Sequence, residues 1–364
     1  MHLRRRRRVT TAGFAVVAVA LAACSSSSST TSTTTPSTTS PPSSAAALSG
    51  TLTGSGSTFQ TDFQEAAIAA FRAVDPGITV TYGSGGSGKG RTDLSSGVVN
   101  YAGSDSPIPA SELPDFKGKK VLYFPVIIGP ITMSFNLPGV SSLKLSPTVI
   151  ADIFQAKITK WNDPAIAAIN PGVSLPSTPI TLAVRSDSSG TTQNFSLFLM
   201  TAVPSVWTLG SSSTIKWPAT ARAGSGNGGV AQIIQSTPGA IGYVDYADAK
   251  ASGLHFASVE NSSGDYVAPS AAAASAAAAG VTVASNLTFH AVWASGATAY
   301  PITYQSWDLV YADQPNANDA AMLKAWLGYL LGAGQKLLPE LNYAPLPASL
   351  DAMAVAELSQ ITSM

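Results

Sequence analysis

Residues 184–195 read V-R-S-D-S-S-G-T-T-Q-N-F. One guanidinium (Arg185) and one carboxylate (Asp187) stand among five hydroxyls, Ser186, Ser188, Ser189, Thr191 and Thr192, around a single glycine, Gly190. A guanidinium presents a fixed fork of N–H donors suited to an oxyanion or a carboxylate. An acid two residues on can hold that fork in place. The apolar stretch that follows can open a helix, whose first N–H groups lack intrahelical partners and carry the positive end of the dipole. Two readings follow. One is a capped turn with a surface ion pair worth about 0–1 kcal/mol. The other is a site for something small, polar and negative.

Three more junctions share this composition: Gly54-Ser55-Gly56-Ser57-Thr58-Phe59, the run "GSGGSGKG" from Gly83 to Gly90, and Ser104-Asp105-Ser106. Glycine lets the backbone approach a ligand closely. Taken singly, each junction reads as an ordinary cap. Several converging would bind a tetrahedral oxyanion without any lysine. Nucleotide readings are poor. "GSGST" lacks the third glycine of a dinucleotide fingerprint, and Lys89 is followed by Gly90 rather than by Ser or Thr.

The elements that must position these junctions alternate. Short apolar runs at 78–83, 120–129, 131–137, 180–185, 240–246 and 307–312 predict strands. Helical patterns occupy 60–74, 92–98, 146–156, 192–202, 228–236 and 319–334. This alternation predicts an α/β fold with a substantially parallel sheet, and in such sheets ligands sit beyond the carboxyl ends of strands. The Ala-rich run 270–280 predicts a surface helix.

The N-terminus has another purpose. Arg4 to Arg8 form a positive region, Phe14 to Ala20 a short apolar one, and Leu21-Ala22-Ala23-Cys24 closes it. Residues 1–23 are read as a cleaved signal peptide. The closing tetrad resembles a bacterial lipobox, in which the cysteine becomes the lipidated, palmitate-bearing first residue. Cys24 is the only cysteine, so an internal disulfide is excluded. The Ser/Thr/Pro-rich stretch of residues 24–47 reads as a flexible tether. Cleavage removes five arginines and no acids, which takes the formal net charge from +0 to −5. A mildly acidic chain argues against nucleic acid as a partner, and an anion site must act locally.

Catalysis is weakly represented. No G-x-S-x-G nucleophile elbow occurs. The mature chain keeps only His255 and His290, too few for a three-histidine metal site. Neither a metal nor a cofactor is expected.

With these pieces in order, the chain resembles the substrate-binding proteins of bacterial phosphate ABC transporters, in their actinobacterial lipoprotein form. The matching pieces, in order, are "GSGSTF", "GSGGSGKG", "YAGSDSPI", "FPVIIGPITMSFNLPG", "KITKWNDPAIAAINPG", "VRSDSSGTT", "STIKWP", "PGAIGYVDYADAK" and "YPITY". The resemblance implies a two-lobed, type II periplasmic-binding-protein-like α/β fold, with a hinge and a ligand cleft. Lobe one would hold 48–127 plus 301–364, and lobe two 128–300. It implies a monomer, anchored through Cys24 on the outer face of the cytoplasmic membrane, that passes phosphate to permease and ATPase subunits. By position, the implied phosphate ligands are Thr58, Phe59, Ser87, Asp105, Arg185, Ser189, Gly190 and Thr191, with Asp187 orienting Arg185. Lys89 and Arg91 depart from the family pattern and are expected to face solvent. The alternatives are a binding protein for another oxyanion such as sulfate, a secreted phosphatase, or a purely structural surface lipoprotein.

Overall fold

The computed structural model describes residues 47–363. The expected signal peptide, Cys24 and nearly all of the expected tether therefore lie outside the described residues. The chain enters on β1 (Gly50–Gly56), α1 (Thr61–Phe71), β2 (Ile78–Ser84), α2 (Ser87–Ser95) and β3 (Tyr101–Ser104). A long strand, β4 (Val121–Asn136), then leads to β5 (Lys144–Leu145), α3 (Pro147–Phe154) and α4 (Pro164–Ile169). Next come β6 (Thr181–Arg185), α5 (Gly190–Ala202), β7 (Arg222–Gly224), α6 (Gly226–Ser236), β8 (Ala240–Asp245) and α7 (Tyr246–Ala251). Short strands β9 (His255–Phe256), β10 (Ser258–Glu260) and β11 (Tyr266–Val267) precede α8 (Ala271–Ala278). The chain returns on β12 (Thr303–Tyr311) and closes mainly with α9 (Ala317–Leu331) and α10 (Ala348–Glu357).

The main sheet runs β2-β1-β3-β12-β4-β8-β6-β7. It is mixed, which corrects the expectation of a substantially parallel sheet. β1 is parallel to β2 and β3, and β6 is parallel to β7 and β8. The central pairs β3–β12, β12–β4 and β4–β8 are antiparallel. Two parallel groups are thus joined by strands that carry the chain directly from one to the other.

β4 corrects a second expectation, that of two strands at 120–129 and 131–137. It is one strand of 16 residues, buried on nearly every side chain. Its prolines sit where the ladder already changes. Pro125 lies opposite Trp307, where the β12 register shifts, and Pro130 is the last residue paired to β12. From Ile131 the partner is β8. Proline's missing N–H is tolerated at a bulge or a partner change, not within a regular central ladder.

The Ala-rich helix α8 is a surface helix with one buried face: Ala272 is exposed. Ala273, Ala274, Ala277 and Ala278 are buried, and the helix packs against β4. A face of methyl groups lets helix and sheet approach closely.

Asp308 on β12 is fully buried and accepts hydrogen bonds from Gln64 Nε2. Burial pushes its carboxyl up to about 7, against the opposing hydrogen bonds of Gln64 and Gln60. A raised folded-state value means the native state holds this proton after the unfolded chain has lost it. Its contribution is complete below the unfolded value near 4 and is lost as pH rises to about 7. We expect Asp308→Asn to flatten the fall in stability across that window, by up to about 4 kcal/mol, measured by denaturant unfolding at several pH values.

Candidate functional site

The parallel group β2-β1-β3 delivers three junctions side by side at one sheet edge. β1 runs into Ser57-Thr58-Phe59 and α1, β2 into α2, and β3 into the turn at Asp105. From the other group, β6 and β7 deliver the starts of α5 and α6. The five junctions meet in one buried place.

Asp105 lies at its centre and is 1% exposed. Its Oδ1 accepts from Ser57 Oγ at 2.5 Å and Ser306 Oγ at 2.6 Å. Its Oδ2 accepts only a long bond from Ser87 Oγ, 3.3 Å. The Asp105 N–H donates back to Ser87 Oγ at 3.1 Å. Burial raises the carboxyl above its ordinary value, while Ser306, Ser57, the Arg185 charge and Ser87 pull it back. Oδ1 is therefore saturated, and Oδ2 retains capacity to accept a proton from a ligand.

Arg185 ends β6, with only 1% of its side chain exposed. Asp187 grips it from the side. Arg185 Nε donates to Asp187 Oδ1 at 2.9 Å, and Arg185 NH2 donates to Asp187 Oδ2. Arg185 NH1 reaches Thr191 Oγ1 at 3.2 Å and Asn227 Oδ1 at 3.5 Å. Partial burial would raise the Asp187 carboxyl, but the hydrogen bonds and charge of Arg185 hold it below the ordinary value. The Gly226 N–H also donates to Asp187 Oδ1, at 3.0 Å. This pair is no exposed surface bridge.

The start of α5 leaves backbone donors free. Ser189 Oγ caps it, accepting from Thr192 N–H at 3.1 Å. Gly190 and Thr191 precede the first helical bond, made by Gln193 N–H to Ser189 O. Their N–H groups are the donors a ligand can use. A hydroxyl has one proton and two lone pairs. Thr58, Ser189 and Thr191 each accept from protein, so each can still donate outward.

The two parallel groups touch across the site. Gly88 N–H donates to Ser188 O at 3.0 Å. Asn194 Nδ2 donates to Asp105 O at 2.7 Å, and Asn227 Nδ2 to Thr58 Oγ1 at 3.1 Å. A Cβ at Gly190 would lie 2.4 Å from Ser87 Oγ and 2.5 Å from Asp105 Cβ. Only glycine allows this approach.

The sequence-predicted phosphate ligands and Asp187 are brought together, with different parts. Phe59 N–H donates to Ser57 Oγ at 3.1 Å, and its ring is buried. Thr58, Ser87, Asp105, Arg185, Ser189, Gly190 and Thr191 face one another around the seam, with Asp187 behind Arg185. Thr192 exchanges a hydrogen bond with Tyr243 OH at 2.7 Å, and that oxygen accepts from Arg185 N–H at 3.0 Å. Ser188 Oγ donates to Ser213 Oγ at 2.9 Å. Ser186 is exposed. Sequence reasoning missed Ser57, Ser306, Asn194 and Asn227. Ser57 alone had a signal, since it lies inside "GSGST".

Arg91 corrects an expectation. Lys89 does face solvent, paired to Asp93, but the Arg91 side chain is fully buried. It forks onto Glu112 (Nε–Oε2 2.6 Å, NH2–Oε1 3.0 Å). Its NH1 braces Ser104 Oγ and Ser106 Oγ, each at 3.2 Å, on either side of Asp105. The cause is that α2 starts at Ser87, not near 92, so Lys89 and Arg91 fall on opposite faces of a helix. Its glycines serve packing, not a loose loop. A Cβ at Gly90 would lie 2.7 Å from Gly56 Cα, and one at Gly88 2.1 Å from Ser188 Oγ.

The PBP superfamily domain matches residues 36–333. The chain is 37% identical over 305 residues to phosphate-binding protein PstS of Pasteurella multocida, spanning 82% of this chain and 86% of that one. It is 33% identical over 329 residues to phosphate-binding protein PstS 2 of Mycobacterium tuberculosis, spanning 85% and 87%. Among solved structures, the high-affinity periplasmic phosphate-binding protein PfluDING, with phosphate bound, superposes with a TM-score of 0.71 at 22% identity. That match covers 85% of this chain and 94% of that one. The chain thus has the two-lobed fold of periplasmic binding proteins and belongs, within the PBP superfamily, to the PstS family of phosphate-binding proteins.

Proposed function

We propose that this protein binds inorganic phosphate outside the cytoplasm and delivers it to the permease and ATPase subunits of a phosphate ABC transporter. The observation that carries this reading is the convergence of one buried guanidinium and several helix starts on one buried carboxylate, Asp105. Arg185, Gly190, Thr191, Ser189, Thr58, Phe59 and Ser87 would surround the anion. Asp105 Oδ2 would accept its proton. Micromolar affinity corresponds to about −8 kcal/mol. Charge-assisted hydrogen bonds contribute about 1.5–3 kcal/mol each, so a handful suffices even after ordering costs.

The lobes in this reading are 48–127 plus 301–364, and 128–300. They close as a hinge around the ligand, and the protein acts as a monomer. Cys24 carries the lipid that holds it at the outer face of the membrane, on the Ser/Thr/Pro tether. Mass spectrometry of the mature N-terminus tests that part. The relatives bear the names of binding proteins rather than enzymes, which favours binding over hydrolysis. Asp105 favours phosphate over sulfate, because sulfate brings no proton at neutral pH.

Calorimetry on the purified protein tests the reading. Saturable binding of one phosphate, with sulfate failing to compete at pH 7, is expected. Sulfate binding as tight as phosphate, or release of phosphate from an ester on incubation, would sink it. A second prediction uses the close approach at Gly190. Gly190→Ala is expected to prop the lobes apart and weaken phosphate binding at least about tenfold, roughly 1.4 kcal/mol, with the circular dichroism spectrum unchanged. Scattering in the presence of phosphate should show a larger radius than the wild type.

A further inference from the structure

The motif Tyr300-Pro301-Ile302-Thr303-Tyr304 contains one group that the site described so far leaves without a task. Tyr300 OH donates to Ile131 O at 2.9 Å, and Thr303 Oγ1 to Tyr300 O at 2.8 Å. Tyr304 is also fully buried, yet its O–H meets no acceptor among the described residues, and the nearby Thr191 hydroxyl can only donate toward its oxygen. Leaving such a group unpaired is costly. A fold that carries this cost where its two parallel strand groups meet points to a partner that arrives with the ligand.

Three contacts place this phenol at the anion site. Side chains two apart on a strand share a face. Ser306, two residues on, donates to Asp105 Oδ1 at 2.6 Å, and the register shift in β12 comes only after Ser306. The Tyr304 ring stacks on Phe59 with centroids 4.0 Å apart, directly beside Thr58. The Thr191 hydroxyl, from the facing α5 start, lies next to the phenol oxygen. Burial, then the fields of Asp245 and Asp105, push the phenol well above its ordinary value, so it stays protonated and can donate.

We propose, resting on the phosphate reading, that Tyr304 is a further ligand residue whose buried hydroxyl donates to the bound oxyanion beside Thr191. A neutral donor suits this position. It adds a hydrogen bond without adding charge, so it does not compete with Asp187 for Arg185.

The test compares Tyr304→Phe with Tyr300→Phe in the full chain, by phosphate calorimetry and by thermal melting with and without phosphate. Tyr304→Phe deletes an unpaired hydroxyl. It is expected to leave the ligand-free melting temperature unchanged or raised, weaken phosphate about tenfold, and shrink the phosphate-induced rise in melting temperature. Tyr300→Phe deletes a paired hydroxyl. It is expected to lower the ligand-free melting temperature and leave phosphate affinity within about twofold. Phosphate affinity unchanged in Tyr304→Phe overturns the assignment. So does a drop in its ligand-free melting temperature with affinity unchanged, which would place the hydroxyl in a water bridge to Asp245 Oδ2, the other unpartnered oxygen nearby. If the wild-type protein itself binds no phosphate, the phosphate reading falls, and that result needs neither variant.

Discussion

Arg185→Ala is expected to weaken phosphate binding by about 3–5 kcal/mol, two to four orders of magnitude in affinity. The size follows from burial. The Arg185 side chain is 1% exposed, so its charge acts through little water. Truncation removes the fork and also leaves the Asp187 carboxylate without its cation. Backbone N–H groups, Gly226 among them, would still reach the Asp187 carboxylate, but a second, uncompensated negative charge would then face the incoming anion. Arg185→Lys restores charge but not the geometry that Asp187 grips through both Nε and NH2. It should recover only part of the loss. Calorimetry of both variants checks this, and affinity unchanged within error would remove Arg185 from the site.

The largest effect on selectivity is expected from Asp105→Asn. In the wild type, Asp105 Oδ1 is already occupied by Ser57 and Ser306. Oδ2 can accept a proton from phosphate, but an ionised carboxylate offers none to sulfate. Sulfate would therefore bury one charge against another. Discrimination of this kind reaches roughly 10⁴–10⁵. Asparagine can donate to either anion, so the ratio of phosphate to sulfate affinity should collapse to within about tenfold. The pH dependence has a defined sign. Burial raises the Asp105 carboxyl, and as pH falls through that raised value Asp105 gains a proton and becomes a donor. Wild-type sulfate affinity should rise as pH is lowered toward that raised value, while that of Asp105→Asn stays flat. Competition calorimetry at descending pH reads both.

How much of this was legible before folding depends on the range of the interaction. Caps and glycine-lined turns are local. The starts of α5 and α6 lie within two residues of the helical patterns read from spacing, and Ser189 caps α5 through a bond three residues long. The Arg185–Asp187 pair spans two residues. The supports of Asp105 are of another kind. Ser57 lies 48 residues away, Asn194 lies 89 away and Ser306 lies 201 away. No local pattern marks a serine in a central strand as the partner of a distant acid. Arg91 was misplaced for the same reason. Its glycine-rich surroundings read as a junction ahead of a helix near 92, and only packing against Gly56 and Ser188 makes a helix with a buried face there.

From the sequence alone came the set of donor-rich junctions, the acid among them, the alternating elements and the family these imply. Short-range chemistry determines all of these: unpaired N–H groups at helix starts, hydroxyl caps and the freedom of glycine. Tertiary structure decided which junctions meet, and how closely. The parallel pairing of β1 with β2 and β3 aligns three strand ends at one edge. The partner switch of β4 at Ile131 brings α5 and α6 against them. Hydrogen-bond registers between distant strands set those distances, and such registers are a property of the whole sheet rather than of any segment.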